Sequence, residues 1–123
     1  MTLILSNEEI EQLFTLEECF KVLEPALRDL GNGNAVNMPR QDLLVPGPLD
    51  GSYHGLKTSC ASLPRSGVTT MRLTSDILTW PVIGGRQRRV KVPLAAGGKY
   101  VGLVLVFSTS TGGLLAIFPD GFI

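Results

Sequence analysis

The apolar positions of this chain change period partway along it. Up to residue 31 they recur three and four apart, with Phe20, Leu23, Leu27 and Leu30 on one side of a helix. Beyond residue 38 they alternate or run together, as they do in strands. The densest stretch is Tyr100–Gly121, YVGLVLVFSTSTGGLLAIFPDG, in which the apolar runs Val101–Phe107 and Leu114–Phe118 flank the small, polar segment Ser108–Gly113. This pattern predicts a β-hairpin with a glycine-containing loop longer than two residues. Val101, Leu103, Leu105 and Phe107 share one face of its first arm. Val104 and Val106 make the other face apolar too, so that arm needs cover on both sides and belongs inside the sheet.

Ahead of the hairpin, Thr2–Leu5 reads as a short strand. Ser6-Asn7-Glu8-Glu9 then matches the S-x-x-E capping box, in which the hydroxyl accepts from the third amide and the carboxylate reaches back to the cap amide. A short helix through about Phe14 follows. Thr15-Leu16-Glu17-Glu18 repeats the device and opens a second helix, which Gly31 and Asn32 end. Pro25 inside it lacks an amide donor and crowds the carbonyl one turn earlier, which predicts a bend or a division there. Gly31–Asn37 reads as a loop.

Arg40–Val45 then reads as a strand, Pro46-Gly47-Pro48 as a turn, Tyr53–Leu63 as a second extended segment and Pro64–Gly67 as another turn. Val68–Ser75 is strongly β through its branched residues. It sets Thr70, Arg72 and Thr74 opposite Thr69, Met71, Leu73 and Ser75, and an arginine among threonines marks a face that is not closed apolar core. Ile77–Val82 holds the single tryptophan, Trp80. Gly84–Lys91 is a basic turn, Val90–Leu94 its returning arm, and Ala95–Gly98 the lead into the last hairpin. Helices over about 6–31 followed by a β-rich part over about 38–121 make an α+β domain across 1–123, its sheet mainly antiparallel or mixed.

Composition narrows the partners. The 123 residues carry eleven basic and eleven acidic side chains, a formal charge of zero, which removes any bulk electrostatic case for nucleic acid or an anionic membrane. A hydrophobic content of 44% with 18% charged residues is that of a folded protein, not a disordered one. No apolar run reaches the length of a bilayer span, and the N-terminus lacks a basic segment before a long apolar core, so the expected home is the cytoplasm. Cys19 and Cys60 have neither metal-ligand spacing nor a cysteine framework and read as buried free thiols.

Little in the chain supports nucleophilic or metal chemistry. His54, the single histidine, has no serine or cysteine at a diagnostic spacing and reads as a satisfied strand histidine. No histidine pair or cysteine–histidine cluster offers metal ligands, and neither a G-x-G-x-x-G nor a P-loop is present. Gly84-Gly85, Gly97-Gly98 and Gly112-Gly113 read as turns. The cluster Arg86, Arg88, Arg89 and Lys91 reads as a solvated hairpin tip, with phosphate or carboxylate binding as the alternative. Arg40 and Arg72 are isolated cations inside predicted strands, where a guanidinium needs a partner. They form either a carboxylate clamp for a ligand or internal salt bridges with Asp42 or Asp76, and Lys57 is a third such cation. No catalytic acid or base is assigned.

Several of these segments, taken in order, resemble a known family. The capped helix pair ends in LRDLGNG, Met38-Pro39-Arg40 and the Met71-Arg72-Leu73 strand follow, and the chain closes on GLVLVFSTSTGGLLAIFPDG. Together they resemble the N-terminal part of the ornithine cyclodeaminase/mu-crystallin family. The resemblance implies an α+β domain that binds substrate and dimerises through a shared sheet, beside a Rossmann domain that holds NAD(H) or NADP(H) and is absent from this chain. It implies chemistry on small amino or imino acids, as cyclodeaminase, imine reductase or amino-acid dehydrogenase. Arg40 matches the arginine that grips the substrate carboxylate. Arg72 matches a strand lysine with the same role, with Lys57 as the fallback.

Four departures accompany the likeness. An arginine stands for the lysine at Arg72, Ile83–Gly98 is longer than usual, Lys99 occupies a threonine position, and the catalytic glutamate has no match around Ser59–Leu63. They speak against the ornithine reaction itself. The expectation is therefore a substrate-binding and dimerising fragment that is inactive alone, with no cofactor of its own. The alternative is a stand-alone small-acid-binding or structural module without catalysis.

Overall fold

The computed structural model describes residues 1–92 and 101–121. In chain order its elements are β1 (Leu3–Ile4), α1 (Asn7–Leu13), α2 (Leu16–Gly31), β2 (Val36–Asn37), β3 (Gln41–Pro46), β4 (Tyr53–Leu63), a 3-10 turn at Pro64–Ser66, β5 (Val68–Thr79), β6 (Val82–Ile83), β7 (Arg86–Gln87), β8 (Val90–Val92), β9 (Val101–Ser108) and β10 (Leu114–Pro119).

The sheet runs β1-β10-β9-β5-β4-β2. The short β3 continues the edge beside β2 by pairing with β4, and β8 extends β9's side by pairing with the end of β5. Among the described residues every ladder is antiparallel except that of β1 on β10, so the sheet is mixed and mostly antiparallel, with two helices beside it in an α+β arrangement. The predicted interior position of the last hairpin holds, since β9 lies between β10 and β5. β6 and β7 form a separate small hairpin whose two-residue turn, Gly84-Gly85, has φ of 61° and 74°. Two consecutive positive φ values define the type I′ turn that glycine accommodates without steric cost.

The helix starts follow their caps. In α1 the Ser6 hydroxyl accepts from the Glu9 amide at 3.2 Å while the Glu9 carboxylate accepts from the Ser6 amide at 2.8 Å. In α2 only half of the device forms. Thr15 Oγ1 accepts from the Glu18 amide at 3.2 Å, but the Glu18 carboxylate takes Lys21 at 3.0 Å instead of reaching back. Pro25 does not divide α2, which is continuous to Gly31. Ile10 of α1 is buried, whereas α2 buries no residue, and Phe20 and Leu27 on its apolar side stay about two-thirds exposed. Leu23, Leu27 and Leu30 instead wall a shallow apolar groove of about 170 Å³ against Val36 and Leu63. No helix among the described residues is long and apolar enough to cross a membrane.

Several local expectations need correction. Val36–Asn37 is not loop but a two-residue strand paired with Ser62 and Ala61, because the open amides of β4 recruit it. The strand read over Val68–Ser75 is longer than expected: β5 continues to Thr79, held on one side by Tyr53–Gly55 and on the other by β8. Arg40 lies one residue ahead of β3 rather than inside it. Cys19 and Cys60 are free, as expected, but half-buried. The segment Ala95–Gly98 with its Gly97-Gly98 turn, the end of the Val90–Leu94 arm, Lys99 and Tyr100 lie outside the described residues.

Candidate functional site

Alternation along β4 and β5 determines what can meet. Residues directly opposite across an antiparallel ladder project from the same face of the sheet. The register pairs Ser59 with Arg72, Lys57 with Thr74 and Gly55 with Asp76, and β3 sets Asp42 opposite Lys57. One face is therefore polar through the middle of the sheet. The side of β5 that the sequence marks as open, with Arg72 among threonines, is this face.

Arg40, Lys57 and Arg72 line one cavity of about 320 Å³ on it. Arg89, just ahead of β8, and Lys91, within it, line it too, two cations that the sequence reading assigned to a solvated hairpin tip. They stand two apart in the chain, with Val90 between them as the first residue of β8. Arg86 and Arg88 remain exposed and do not line the cavity.

Each of the three expected cations also holds an aspartate. Arg40 Nη2 donates to Asp42 Oδ2 at 2.9 Å, an exposed pair. Arg72 Nε donates to Asp120 Oδ2 at 2.7 Å, with the arginine side chain half exposed and the aspartate buried. Asp76, which is only 1% exposed, accepts from Lys57 Nζ on Oδ2, and the same oxygen lies 3.2 Å from Lys91 Nζ. The internal-bridge alternative thus holds for Arg40 with Asp42. Arg72 finds Asp120, not Asp76, and Lys57 takes Asp76.

Burial alone would push the Asp76 carboxyl up. The hydrogen bonds and positive charges of Lys57 and Lys91 together outweigh that penalty and hold it below the ordinary value of 3.8. Its second oxygen, Oδ1, is buried with no hydrogen-bond partner among the described residues. Asp120 owes its place to Gly102, whose carbonyl accepts from the Asp120 amide at 3.2 Å and where a β-carbon would overlap the Asp120 carboxylate. His54 Nε2 and Ser75 Oγ lie 2.9 Å apart, the satisfied strand histidine that was expected. Among the described residues no three His, Cys, Asp or Glu side chains cluster as metal ligands.

The sequence reading held Arg89 and Lys91 as anion binders only in its alternative, and it missed Asp120. The first two carry a signal in their i, i+2 spacing on a β-branched segment. Asp120 carries none, because its partner is 48 residues away.

No protein-family profile matches the chain, and no curated protein matches it. Solved structures do. The probable ornithine cyclodeaminase of Bordetella pertussis Tohama I superposes with a TM-score of 0.67 at 21% identity, over 99% of this chain and 31% of that one. An archaeal alanine dehydrogenase dimer with bound NAD gives 0.69 at 22% identity, over 98% and 32%. The iminosuccinate reductase of Paracoccus denitrificans in complex with NAD+ gives 0.66 at 16%, over 96% and 32%. The fold is therefore one found in ornithine cyclodeaminase and in amino- and imino-acid oxidoreductases, as the sequence resemblance implied. The chain spans about a third of the length of each.

Proposed function

We propose that this chain is the substrate-binding portion of an NAD(P)-dependent amino- or imino-acid enzyme of the ornithine cyclodeaminase type, and that the cavity over β4 and β5 holds the substrate's carboxylate. The observation that carries the reading is the convergence of Arg40, Lys57 and Arg72 on one space large enough for a small acid. Guanidinium and ammonium groups on a rigid sheet, in a partly desolvated hollow, are suited to orienting a carboxylate. Their ion pairs with Asp42, Asp76 and Asp120 hold them in place around that space.

The chain has no glycine-rich strand–turn–helix of the kind that receives a dinucleotide, so its own residues bind and orient the acid. Hydride transfer is the chemistry that a nicotinamide supplies when bound. On this reading the 123-residue chain binds the acid but does not turn it over. The exposed apolar side of α2 favours a homodimer, in which that surface is covered.

Isothermal titration of the chain with L-alanine, L-proline and L-ornithine tests the proposal. Saturable binding of at least one of them, weakened by Arg72→Met, is expected. Absence of binding by all of them, or binding indifferent to both Arg40→Ala and Arg72→Met, would remove it.

A further inference from the structure

Where β4 begins and β5 stops, a second hollow of about 570 Å³ opens that the carboxylate reading leaves unused. Asp50, Tyr53, Thr79, Trp80 and Gln87 line it, and Asp50 is the one charged side chain among its lining residues.

Three short segments converge there. Tyr53 opens β4 and Trp80 directly follows β5, so the antiparallel register sets them side by side. Their ring centroids are 5.6 Å apart and their planes stand at 87°. Rings at right angles form a corner, and the faces that wall it carry the negative part of the ring quadrupole. The corner is open, since Tyr53 is 43% exposed and Trp80 is half-buried. Asp50 comes from the turn between β3 and β4, which the buried Ser52 locks: its carbonyl accepts from the Gly47 amide at 2.9 Å, and its hydroxyl donates to the Leu49 carbonyl at 2.6 Å. The β6–β7 hairpin supplies Gln87, held against the end of β5 by the Arg88 amide, which donates to the Pro81 carbonyl at 2.9 Å. Asp50 forms no ion pair among the described residues.

The geometry points to a binding site for a small organic cation, a quaternary ammonium head group seated in the Tyr53–Trp80 corner with Asp50 as its counter-charge. A positive group close to an aromatic face is drawn to it, and a carboxylate on the same hollow adds to the attraction. A methylated nitrogen suits this place because it has no N–H to satisfy and gives up little water on entering an aromatic corner. A primary ammonium is a strongly hydrated point charge and loses more. A neutral group of the same shape gains nothing from Asp50. The hollow is separate from the cation-lined cavity: Lys57 lies four residues beyond Tyr53 in β4, about 13 Å at the rise of a strand, further than a small amino acid reaches. The inference therefore stands apart from the function proposed above.

Trp80 is the single tryptophan, so its fluorescence reports on the corner directly. Titration of the chain with choline at constant ionic strength is compared with 3,3-dimethylbutanol, a neutral isostere, and with methylammonium. Choline is expected to change the Trp80 emission saturably, with a dissociation constant of about millimolar, and to bind at least about fivefold more tightly than either comparison compound. Asp50→Asn and Tyr53→Leu should each weaken choline by about threefold or more. Asp50 is exposed, so its replacement does not threaten the fold, and an unchanged circular-dichroism melt verifies this. No saturable response to choline, equal binding of the neutral isostere or of methylammonium, or a choline affinity indifferent to Asp50→Asn would overturn the inference. None of these outcomes touches the carboxylate reading, which Arg40→Ala and Arg72→Met test.

Discussion

Gly102 and Asp120 occupy the same space on the polar face of the sheet: the Asp120 carboxylate lies where a β-carbon on residue 102 would be, and the Asp120 amide donates to the Gly102 carbonyl at 3.2 Å. From there Asp120 receives Arg72 across β9. A glycine in a strand interior weakens the strand by itself, and here its missing side chain makes room for the carboxylate that anchors a cavity arginine.

Gly102→Ala should therefore destabilise the chain by about 1–3 kcal/mol through overpacking. In urea unfolding, Asp120→Ala in the same chain should recover part of that loss, so the two changes combine to less than their sum. Strict additivity would mean that the two sites do not share space.

The buried pair of Lys57 and Asp76 makes a second expectation. Lys57→Met leaves a carboxylate that is 1% exposed with Lys91 as its remaining cation, and should cost about 3 kcal/mol, the low end of the range for breaking a buried pair. The double change Lys57→Met with Asp76→Leu removes both charges and should cost clearly less than the two single changes added together. Chemical denaturation of the four proteins measures this directly.

Asp76 also sets a pH dependence. Its folded-state pKa is held below 3.8, so the unfolded chain takes up the proton first as pH falls. The stability it contributes is fully present above the ordinary carboxylate value and is lost as pH drops through the lower, folded value. Urea midpoints measured from neutral pH downward should fall below about pH 4, the ordinary carboxylate range. Asp76→Asn should flatten that fall, and an identical acid limb in the variant would assign the effect to other carboxylates.

The exposed side of α2 predicts self-association. Phe20 and Leu27 are about two-thirds exposed on a helix that buries nothing of its own. Sedimentation at micromolar concentration should show the chain associated, and Leu27→Glu should shift it toward monomer without loss of helical circular dichroism. An unchanged distribution would place the contact elsewhere.

The relation between sequence and structure differs from one part of the chain to the next. The Ser6–Glu9 cap, the Gly84-Gly85 turn, the long β4 and the interior hairpin are all readable from residues a few positions apart, because the forces that form them act within a turn or along one strand. Arg40, Lys57 and Arg72 stand out for the same reason, as cations where a strand pattern leaves little company for them. Local signals also misled. Thr15–Glu18 looks like a second reciprocal cap, but Lys21 on the next turn competes for the Glu18 carboxylate and wins it. Val36–Asn37 has loop composition, yet unpaired amides on β4 draw it into the sheet.

By itself, then, the sequence determined most of the helices and strands, which faces are apolar, and which cations stand in or beside strand segments. Tertiary structure alone decided how those charges are shared. Only the β4–β5 register puts Lys57 beside Asp76, only the return of β8 onto β5 brings Arg89 and Lys91 into the cavity, and only the bare backbone at Gly102 lets Asp120 reach Arg72. Charge pairing acts over a few ångströms of space, and it is the sheet, not chain separation, that makes residues 48 positions apart neighbours.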